Sequence, residues 1–215
     1  YRAGAVTLDP RDHLRRIFGH ADFRPGQEAA VRAALAGRDA LVVMPTGAGK
    51  SLCYQLPALM RDELALVVSP LVSLMQDQVE RLRRVAPAAV GLVNAQQTPA
   101  DNRAVLARAR SGQLKLLYVA PERFGSRGFL DALAGLPVGL FVVDEAHCVS
   151  QWGHDFRPDY FRLADAARWL RARAIMALTA TATPRLADDI AHRLALTDPV
   201  RVTTGFDRPN LSFAV

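Results

Sequence analysis

The chain has 215 residues, of which 27 are basic and 21 acidic, and its formal net charge at pH 7 is +6. Half of the residues are hydrophobic, yet no apolar run reaches the ~18 residues of a membrane-spanning helix, and two cysteines are too few for a disulfide framework or a four-cysteine zinc site. These numbers argue against a membrane protein and a zinc site, indicate a reducing cytoplasm, and agree with a polyanion such as nucleic acid as partner.

Short apolar runs alternate with helical patterns along most of the chain. Several runs are continuously apolar, which is typical of parallel strands covered on both faces. The alternation predicts an α/β fold with helices flanking a mostly parallel central sheet. We place an N-terminal helical extension at residues 1–36 and the α/β domain at residues 37–205. The predicted strands are Ala40–Met44, Leu64–Ser69, Ala89–Val93, Leu114–Val119, Val138–Asp144, Ala174–Thr179 and Val200–Thr203.

The first predicted strand runs into a glycine-containing loop, residues 44–51, that opens a helix. Its glycines let the backbone curl around a phosphate chain, and the helix N-terminus adds a favourable dipole. Lys50, one of only two lysines in the chain, reaches the β- and γ-phosphates in such loops, and the Ser51 hydroxyl ligates Mg²⁺. The general pattern begins with glycine, whereas Met44 stands here. The predicted phosphate-binding residues are Thr46, Gly47, Ala48, Gly49, Lys50 and Ser51.

Residues typical of helix ends mark several boundaries. Ser73 and Gln76 are spaced as in a capping box, and one apolar stripe accompanies them, at Met75, Val79, Leu82 and Val85. Thr98 and Thr183 each precede a proline, which predicts a capped helix start. Glycines mark two predicted helix ends, Gly37 and Gly112.

The strand at Val138–Asp144 ends in two adjacent carboxylates, Asp144 and Glu145, followed by His147. A buried strand that ends this way brings charge to the lip of the sheet, near the phosphate loop. Asp144 would then hold Mg²⁺ through its water shell, and Glu145 would orient and deprotonate the attacking water. His147 would touch the γ-phosphate or relay its loss. The alternative is a strand end capped by solvated acids, and the upstream phosphate loop favours the catalytic interpretation.

An aromatic loop, residues 150–158, follows the acidic pair. Exposed aromatic side chains beside arginine can stack on unpaired bases while the guanidinium holds phosphate. Alternatively the loop packs internally around Trp152. The residue types alone do not favour one interpretation over the other.

Together these segments resemble the helicase core of the RecQ family, within the superfamily-two, DEAH-box helicases. The resemblance spans roughly residues 14–213, in the family's order, and methionine is usual there at the position of Met44. It implies a three-layer RecA-like lobe that uses ATP and Mg²⁺. The matching segments are Phe18–Glu28, Met44–Ser51, Val68–Gln78, Tyr118–Arg123, Asp144–His147, Ser150–Tyr160, Ala177–Ala182 and Phe206–Leu211.

The resemblance also implies roles for individual residues. Arg24 and Gln27 would read adenine, and His20 would stack on it, where bacterial members often have tyrosine. Lys50, Asp144, Glu145 and His147 would form the catalytic set. Roles on the DNA side are implied for Ser73 and Gln76 (strand contact), for Trp152, Phe156 and Arg157 (sensing of single-stranded DNA), for His154 (link to the nucleotide site), and for Thr179 and Thr181 (coupling of hydrolysis to movement).

The expected function is ATP-driven 3′–5′ translocation on single-stranded DNA and unwinding of partly duplex DNA, in repair or recombination at the bacterial nucleoid. Family helicases carry an arginine finger on a second lobe, and residues 206–215 resemble the start of the linker to it. We therefore expect this chain, which begins at Tyr1 without methionine, to be half of a motor that does not unwind alone. Two alternatives stay open: an RNA-dependent ATPase, because DEAH also marks RNA helicases, and a nucleotide- and DNA-binding module without turnover.

Overall fold

The structure of the protein, a computed structural model, describes residues 9–205. Its centre is a sheet of seven strands in which all neighbours are parallel. The strands are β1 Ala40–Val43, β2 Leu64–Val68, β3 Val90–Val93, β4 Leu116–Val119, β5 Val138–Val143, β6 Ile175–Thr179 and β7 Val200–Thr203. Their order across the sheet is β3-β4-β2-β5-β6-β1-β7. The predicted α/β fold is confirmed, and the segment Phe206–Leu211 lies outside the described residues.

The helices within residues 9–205 are α1 Pro10–His13, α2 Gln27–Leu35, α3 Leu52–Met60, α4 Val72–Val85, α5 Pro99–Arg110, α6 Arg127–Leu133, α7 Leu163–Trp169 and α8 Pro184–Arg193. A π-helical turn follows α1, and 3₁₀ turns occupy Pro121–Gly125, Ala146–Val149 and Pro158–Arg162. None of the helices in the described part of the chain is long and apolar enough to cross a membrane.

Both faces of the sheet are buried under helices. Leu66 and Phe141 belong to a core cluster shared with α5, α6, α7 and α8, whereas their neighbours Val67 and Val142 belong to a cluster shared with α2, α3 and α4. Successive strand residues therefore point into two different cores, which explains the continuously apolar runs. The result is the predicted three-layer arrangement.

The segment before β1 packs on the α/β layers. Leu14 and Val31 form a small cluster with Leu52 and Leu56 of α3, the helix that follows the phosphate loop. The Glu28 carboxylate of α2 forms an ion pair with Arg11, which connects α1 with α2, and a second ion pair with Arg32 of its own helix. These contacts fix the segment next to the start of α3. The domain boundary at residue 36 remains a prediction.

Helix starts agree with the sequence at two places and differ at a third. The side-chain oxygens of Thr98 and Thr183 accept backbone N–H groups at the starts of α5 and α8, as predicted. The capping box at Ser73 and Gln76 is wrong, because α4 begins at Val72 after an extended Leu71 and has no side-chain cap. Ser73 is therefore the second residue of the helix.

The apolar stripe of α4 is shorter than predicted. Met75, Val79 and Leu82 are buried, but Val85, the last helical residue, is 44% exposed. The predicted helix ends are confirmed at Gly37 and Gly112, which both adopt the left-handed conformation that favours glycine.

The strand order brings three distant segments to one edge of the sheet. Strands β5, β6 and β1 are neighbours, and Val43 of β1 pairs with Thr179 of β6. Since parallel strands share their carboxyl edge, the loops that follow these strands meet there. That edge carries the phosphate loop, the acidic pair and Thr179.

Candidate active site

The phosphate loop curls between β1 and α3. Gly47 and Gly49 have φ angles of 84° and 85°, in the left-handed region that favours glycine. The Lys50 ammonium donates to the carbonyl oxygens of Met44 at 3.0 Å and Pro45 at 3.5 Å, so it lies inside the curve of the loop. Ser51 immediately precedes α3. A curled backbone, an inward lysine and a helix N-terminus suit the binding of a phosphate chain.

Beside the phosphate loop lies a cleft of about 460 Å³, here called the base cleft. Its volume is in the range of small-ligand sites. One wall is the segment that includes His20 and Arg24, with Gln27 of α2 beneath it, and the other wall is formed by the phosphate loop and α3. The structure thus brings together the three residues predicted to meet adenine. That they read the base remains a prediction.

Arg24 and Gln27 also brace the phosphate loop. The Gln27 side chain is 3% exposed, and its amide nitrogen donates to the carbonyl oxygen of Gly49 at 3.0 Å. Its amide oxygen accepts the backbone N–H of Arg24 at 2.8 Å, and the Arg24 guanidinium donates to the carbonyl oxygen of Gly47 at 2.8 Å. A side chain at Gly49 would collide with the Gln27 amide. The base cleft and the phosphate loop are therefore one connected unit.

The backbone of the acidic pair is held from three sides. The N–H of Asp144 donates to the carbonyl of Val68 at 2.8 Å, and its own carbonyl accepts the Tyr160 hydroxyl at 3.1 Å. Glu145 adopts φ 48° and ψ 47°, a left-handed conformation that is uncommon for a residue with a side chain. Its N–H donates to the Asp144 carboxylate at 3.0 Å. Strain of this kind is tolerated mostly at functional sites.

Burial and the adjacent charge of Glu145 raise the pKa of the Asp144 carboxyl to about 6, while the charge of Lys50 opposes the shift. A carboxylate that is costly to keep ionised is stabilised by a nearby cation. The Asp144 carboxylate and the Ser51 hydroxyl are hard oxygen ligands of the kind that Mg²⁺ takes. The residues present therefore fit a magnesium ion.

His147 connects the acidic pair with the end of β6. Its Nδ1 lies 3.0 Å from the Thr179 hydroxyl and 3.4 Å from the Glu145 carboxylate. The single hydroxyl proton of Thr179 goes to the carbonyl oxygen of Thr181 at 3.2 Å, so Thr179 accepts from a protonated Nδ1 of His147. Burial lowers the pKa of His147, which favours the neutral ring. His147, Thr179 and Thr181 thus form one hydrogen-bonded chain, and the Glu145 carboxylate lies beside its first member.

The aromatic loop lies against this chain. His154 stacks on His147, with ring centroids 4.5 Å apart and ring planes 15° apart. Gly153 permits that approach, because a Cβ here would collide with the carbonyl oxygen of His147. Through this stack the aromatic loop directly contacts His147, which lies beside Glu145.

Trp152 does not anchor the loop from inside. Its side chain is 64% exposed, which argues against the packed-loop interpretation. Phe156 lies half-buried against Phe161, 5.1 Å between ring centroids. Arg157 is paired with Asp155 at 3.1 Å, and its guanidinium also approaches the carbonyl oxygen of Pro70, before α4, at 3.4 Å. The loop presents one open aromatic face and a guanidinium beside the start of α4.

Ser73 and Gln76 lie exposed on the first turns of α4. They stand on the same helix as Met75 and Val79, whose side chains are buried, so the opposite face is free to meet a ligand. Their proposed contact with a DNA strand remains a prediction.

Several further residues belong to the site but were not identified from the sequence. Gln55 of α3 lines the base cleft and donates to Gln78 of α4 at 2.9 Å, which links the nucleotide side with the helix that carries Ser73. A buried glutamine inside the apolar helix Leu52–Met60 was the available signal. Arg185 and Asp189 of α8 contact the aromatic loop, and their spacing of four residues on one helix face was the available signal.

His147, Cys148 and Asp155 also lie close together, with possible ligand atoms within 4.8 Å of one another. Two of the three side chains already have partners outside the group, however. Asp155 is paired with Arg157, and Nδ1 of His147 is bonded to Thr179. Burial raises the pKa of the Cys148 thiol to about 12, which disfavours the thiolate that a metal needs. We therefore interpret these three residues as part of the contact between the aromatic loop and the acidic pair, and not as a metal site.

Comparison with known proteins agrees with this geometry. The family model for DEAD/DEAH box helicases matches residues 24–190. The chain is 47% identical over 202 residues to the ATP-dependent DNA helicase RecQ of Haemophilus influenzae, covering 94% of this chain and 32% of that protein. It is 45% identical over 204 residues to RecQ of Bacillus subtilis, covering 94% of this chain and 34% of that protein. The chain thus spans about a third of the length of these relatives.

Among solved structures, a hypothetical ATP-dependent RNA helicase from Sulfolobus tokodaii superposes with a TM-score of 0.70 at 20% identity, over 92% of this chain and 57% of that one. At this identity the likeness shows the fold alone, and it supports the predicted RecA-like lobe. The predicted resemblance to RecQ helicases is confirmed by the sequence identities. The match over most of its length shows that the chain belongs to the DEAD/DEAH box helicase family.

Proposed function

We propose that this chain is the ATP-binding lobe of a DNA helicase that couples ATP hydrolysis to 3′–5′ translocation on single-stranded DNA and to duplex unwinding. One observation carries the proposal: a continuous set of contacts runs from Glu145 through His147 to His154 in the aromatic loop. The nucleotide site and the loop that exposes Trp152 are thereby joined through two successive contacts. The two RecQ relatives are named ATP-dependent DNA helicases.

The chemistry follows from the residues at the carboxyl edge of the sheet. Lys50 neutralises charge on the β- and γ-phosphates of ATP, and Glu145 accepts a proton from the water that attacks the γ-phosphorus. The bond to the β,γ-bridging oxygen breaks, and ADP leaves with that oxygen. Bound Mg²⁺, held by Ser51 and Asp144, would neutralise phosphate charge during transfer. Arg24, Gln27 and His20 hold the base in the base cleft.

Coupling to DNA uses the aromatic loop. A nucleobase stacked on Trp152 pulls on the loop that ends in the His154–His147 stack. Movement of His147 changes its contact with Glu145, the group that activates water. Ser73 and Gln76 contact the strand beside it, Phe156 and Arg157 hold the base and a phosphate, and Thr179 and Thr181 pass the change on to β6.

Two parts of the proposal lie beyond this chain. A second lobe of the same protein supplies an arginine to the developing γ-phosphate charge, an effect worth about 10³–10⁵ in rate at related sites. Translocation needs that lobe, because strand movement comes from closing and opening of two bodies. We place the protein in the bacterial cytoplasm, on nucleoid DNA, in repair or recombination. Both cysteines are free and buried, which agrees with a reducing compartment.

The test is ATP hydrolysis by the full-length protein that carries this lobe, without nucleic acid, with oligothymidylate, and with RNA of equal length. We expect stimulation by DNA that is lost in Glu145→Gln and retained in Asp165→Asn, which removes an exposed carboxylate from α7. Equal stimulation by RNA would instead favour an RNA-dependent ATPase. Nucleotide binding without hydrolysis under any condition would favour a binding module.

A further inference from the structure

Arg185, in the first turn of α8, covers one face of the exposed Trp152 ring. The guanidinium carbon lies 4.2 Å from the ring centroid. Arg185 is itself exposed, and among residues 9–205 its guanidinium has no hydrogen-bond or ion-pair partner besides this ring contact. Its donors are therefore open to an acceptor from outside the protein.

The rest of this helix face holds the aromatic loop firmly. Asp189, four residues after Arg185, accepts a hydrogen bond from the Ser150 hydroxyl. The same carboxylate accepts Nε of Arg193 at 2.8 Å, and the Arg193 guanidinium lies 5.5 Å from the Phe161 ring centroid. Both flanks of the loop are thus tied to α8 without Arg185. Arg185, Asp189 and Arg193 follow one another at intervals of four residues on α8. Of these three, only Arg185 is not needed to hold the loop.

The position of Arg185 on the helix makes its present contact easy to give up. The cap at Thr183 and the proline that follows fix the backbone of this turn. A cation in the first turn gains nothing from the helix dipole, whose positive end lies there. An exposed cation–π contact is also weaker than the stacking of a base on an aromatic ring. A nucleobase therefore displaces the guanidinium from Trp152.

We propose that Arg185 is a DNA-binding residue of the aromatic loop's strand site: it covers the Trp152 ring in the free protein and, when a base stacks there, holds that nucleotide from the opposite side. A planar guanidinium can stack on the base and donate to the adjacent phosphate at once. The base is then held between Trp152 and Arg185. This inference rests on the proposed function, because it assigns a further ligand to the same strand site.

The experiment measures binding of a fluorescein-labelled oligothymidylate to the 215-residue chain across a salt series. Arg185→Ala is expected to weaken binding by roughly threefold to tenfold, and to reduce the slope of log affinity against log salt by about 0.7, the value for one phosphate contact on a single strand. Arg185→Lys keeps the charge but not the planar group. We therefore expect it to retain the salt slope and to bind with an affinity between those of the parent chain and Arg185→Ala. Arg103→Ala, an exposed arginine on α5, is the matched control for loss of one charge.

A second readout reports on the ring itself. The chain has two tryptophans, so Trp169→Phe leaves Trp152 as the sole tryptophan, whose fluorescence is excited selectively at wavelengths that tyrosine does not absorb. In that background, Arg185→Ala is expected to change the emission of the free protein, while saturating oligothymidylate still quenches it. Melting temperature serves as the folding control for each variant.

The outcomes separate the inference from the proposed function. Tighter binding by Arg185→Ala would mean that the arginine only competes with the base. Unchanged affinity and salt slope would mean that Arg185 does not touch the strand. A loss of affinity equal to that of Arg103→Ala would mean the same. Each of these results overturns the inference and leaves the strand site intact. Unchanged binding by Trp152→Ala would overturn the strand site itself.

Discussion

The phosphate loop and the aromatic loop both follow central strands, but they are held in different ways. In the phosphate loop, backbone carbonyl oxygens accept hydrogen bonds from the side chains of Lys50, Arg24 and Gln27. The aromatic loop exposes Trp152 and is tied down by side chains of α8. The part that would meet the triphosphate is held at its own backbone carbonyl oxygens. The part that would meet a moving strand is held by contacts between side chains, which can exchange.

The strongest test of the phosphate side is Lys50→Ala in the full-length protein. We expect the hydrolysis rate to fall by at least about 10²–10³-fold, because the charge that stabilises the transition state is lost. The melting temperature without nucleotide should stay the same, since Lys50 binds ligand and supports no core contact. Undiminished hydrolysis would contradict the assignment of the loop.

Gln27→Ala tests whether the base cleft and the phosphate loop act as one unit. We expect a roughly tenfold loss of preference for ATP over GTP, because a site that hydrogen-bonds a base edge loses selectivity with its partner. Turnover should fall as well, since the Gly49 carbonyl loses its donor. Competition kinetics with both nucleotides measure the preference. Equal use of ATP and GTP by the parent protein would rule out base reading by Gln27.

Asp189→Ala is the corresponding test of the aromatic side. It removes the acceptor of the Ser150 hydroxyl and of Arg193, so the loop loses its tie to α8. We expect the DNA-stimulated part of ATP hydrolysis to fall several-fold and the basal part to stay. Asp188→Ala, one residue earlier and exposed, is the control. An equal loss of basal and DNA-stimulated hydrolysis would indicate that the contact with α8 also supports the phosphate loop, and not the aromatic loop alone.

The smallest expected effect concerns stability. The pKa of Asp144 is raised to about 6 from 3.8, so ionisation of this carboxyl lowers the stability of the folded protein, and this cost is present in full well above pH 6. Asp144→Asn should therefore raise the free energy of unfolding at pH 8 by on the order of 1 kcal/mol. The gain should shrink as the pH falls through 6 towards 4, because the parent then takes up the proton. Urea unfolding at several pH values measures this, and a gain independent of pH would contradict the cause given.

The same contrast explains what the sequence could predict. The strands and the phosphate loop depend on local patterns, namely continuous apolar runs and glycines before a lysine. The sequence therefore places all seven strands to within two residues at each end and puts the loop directly after β1. The capping box at Ser73 failed because an extended Leu71 starts α4 without a side-chain cap. Whether Trp152 is packed or open depends on Arg185 and Asp189, which are distant in sequence. Contacts of that kind leave no local pattern.

Gly153 has a consequence for how this protein can be altered. Its backbone approaches the carbonyl oxygen of His147 so closely that a single added methyl group would not fit. Alanine here would push the loop outward and separate the two histidine rings, yet it would remove no charged or aromatic side chain. A single methyl group would thus uncouple the two sites: the nucleotide site and the aromatic loop would both keep their residues, and only the contact between them would be lost.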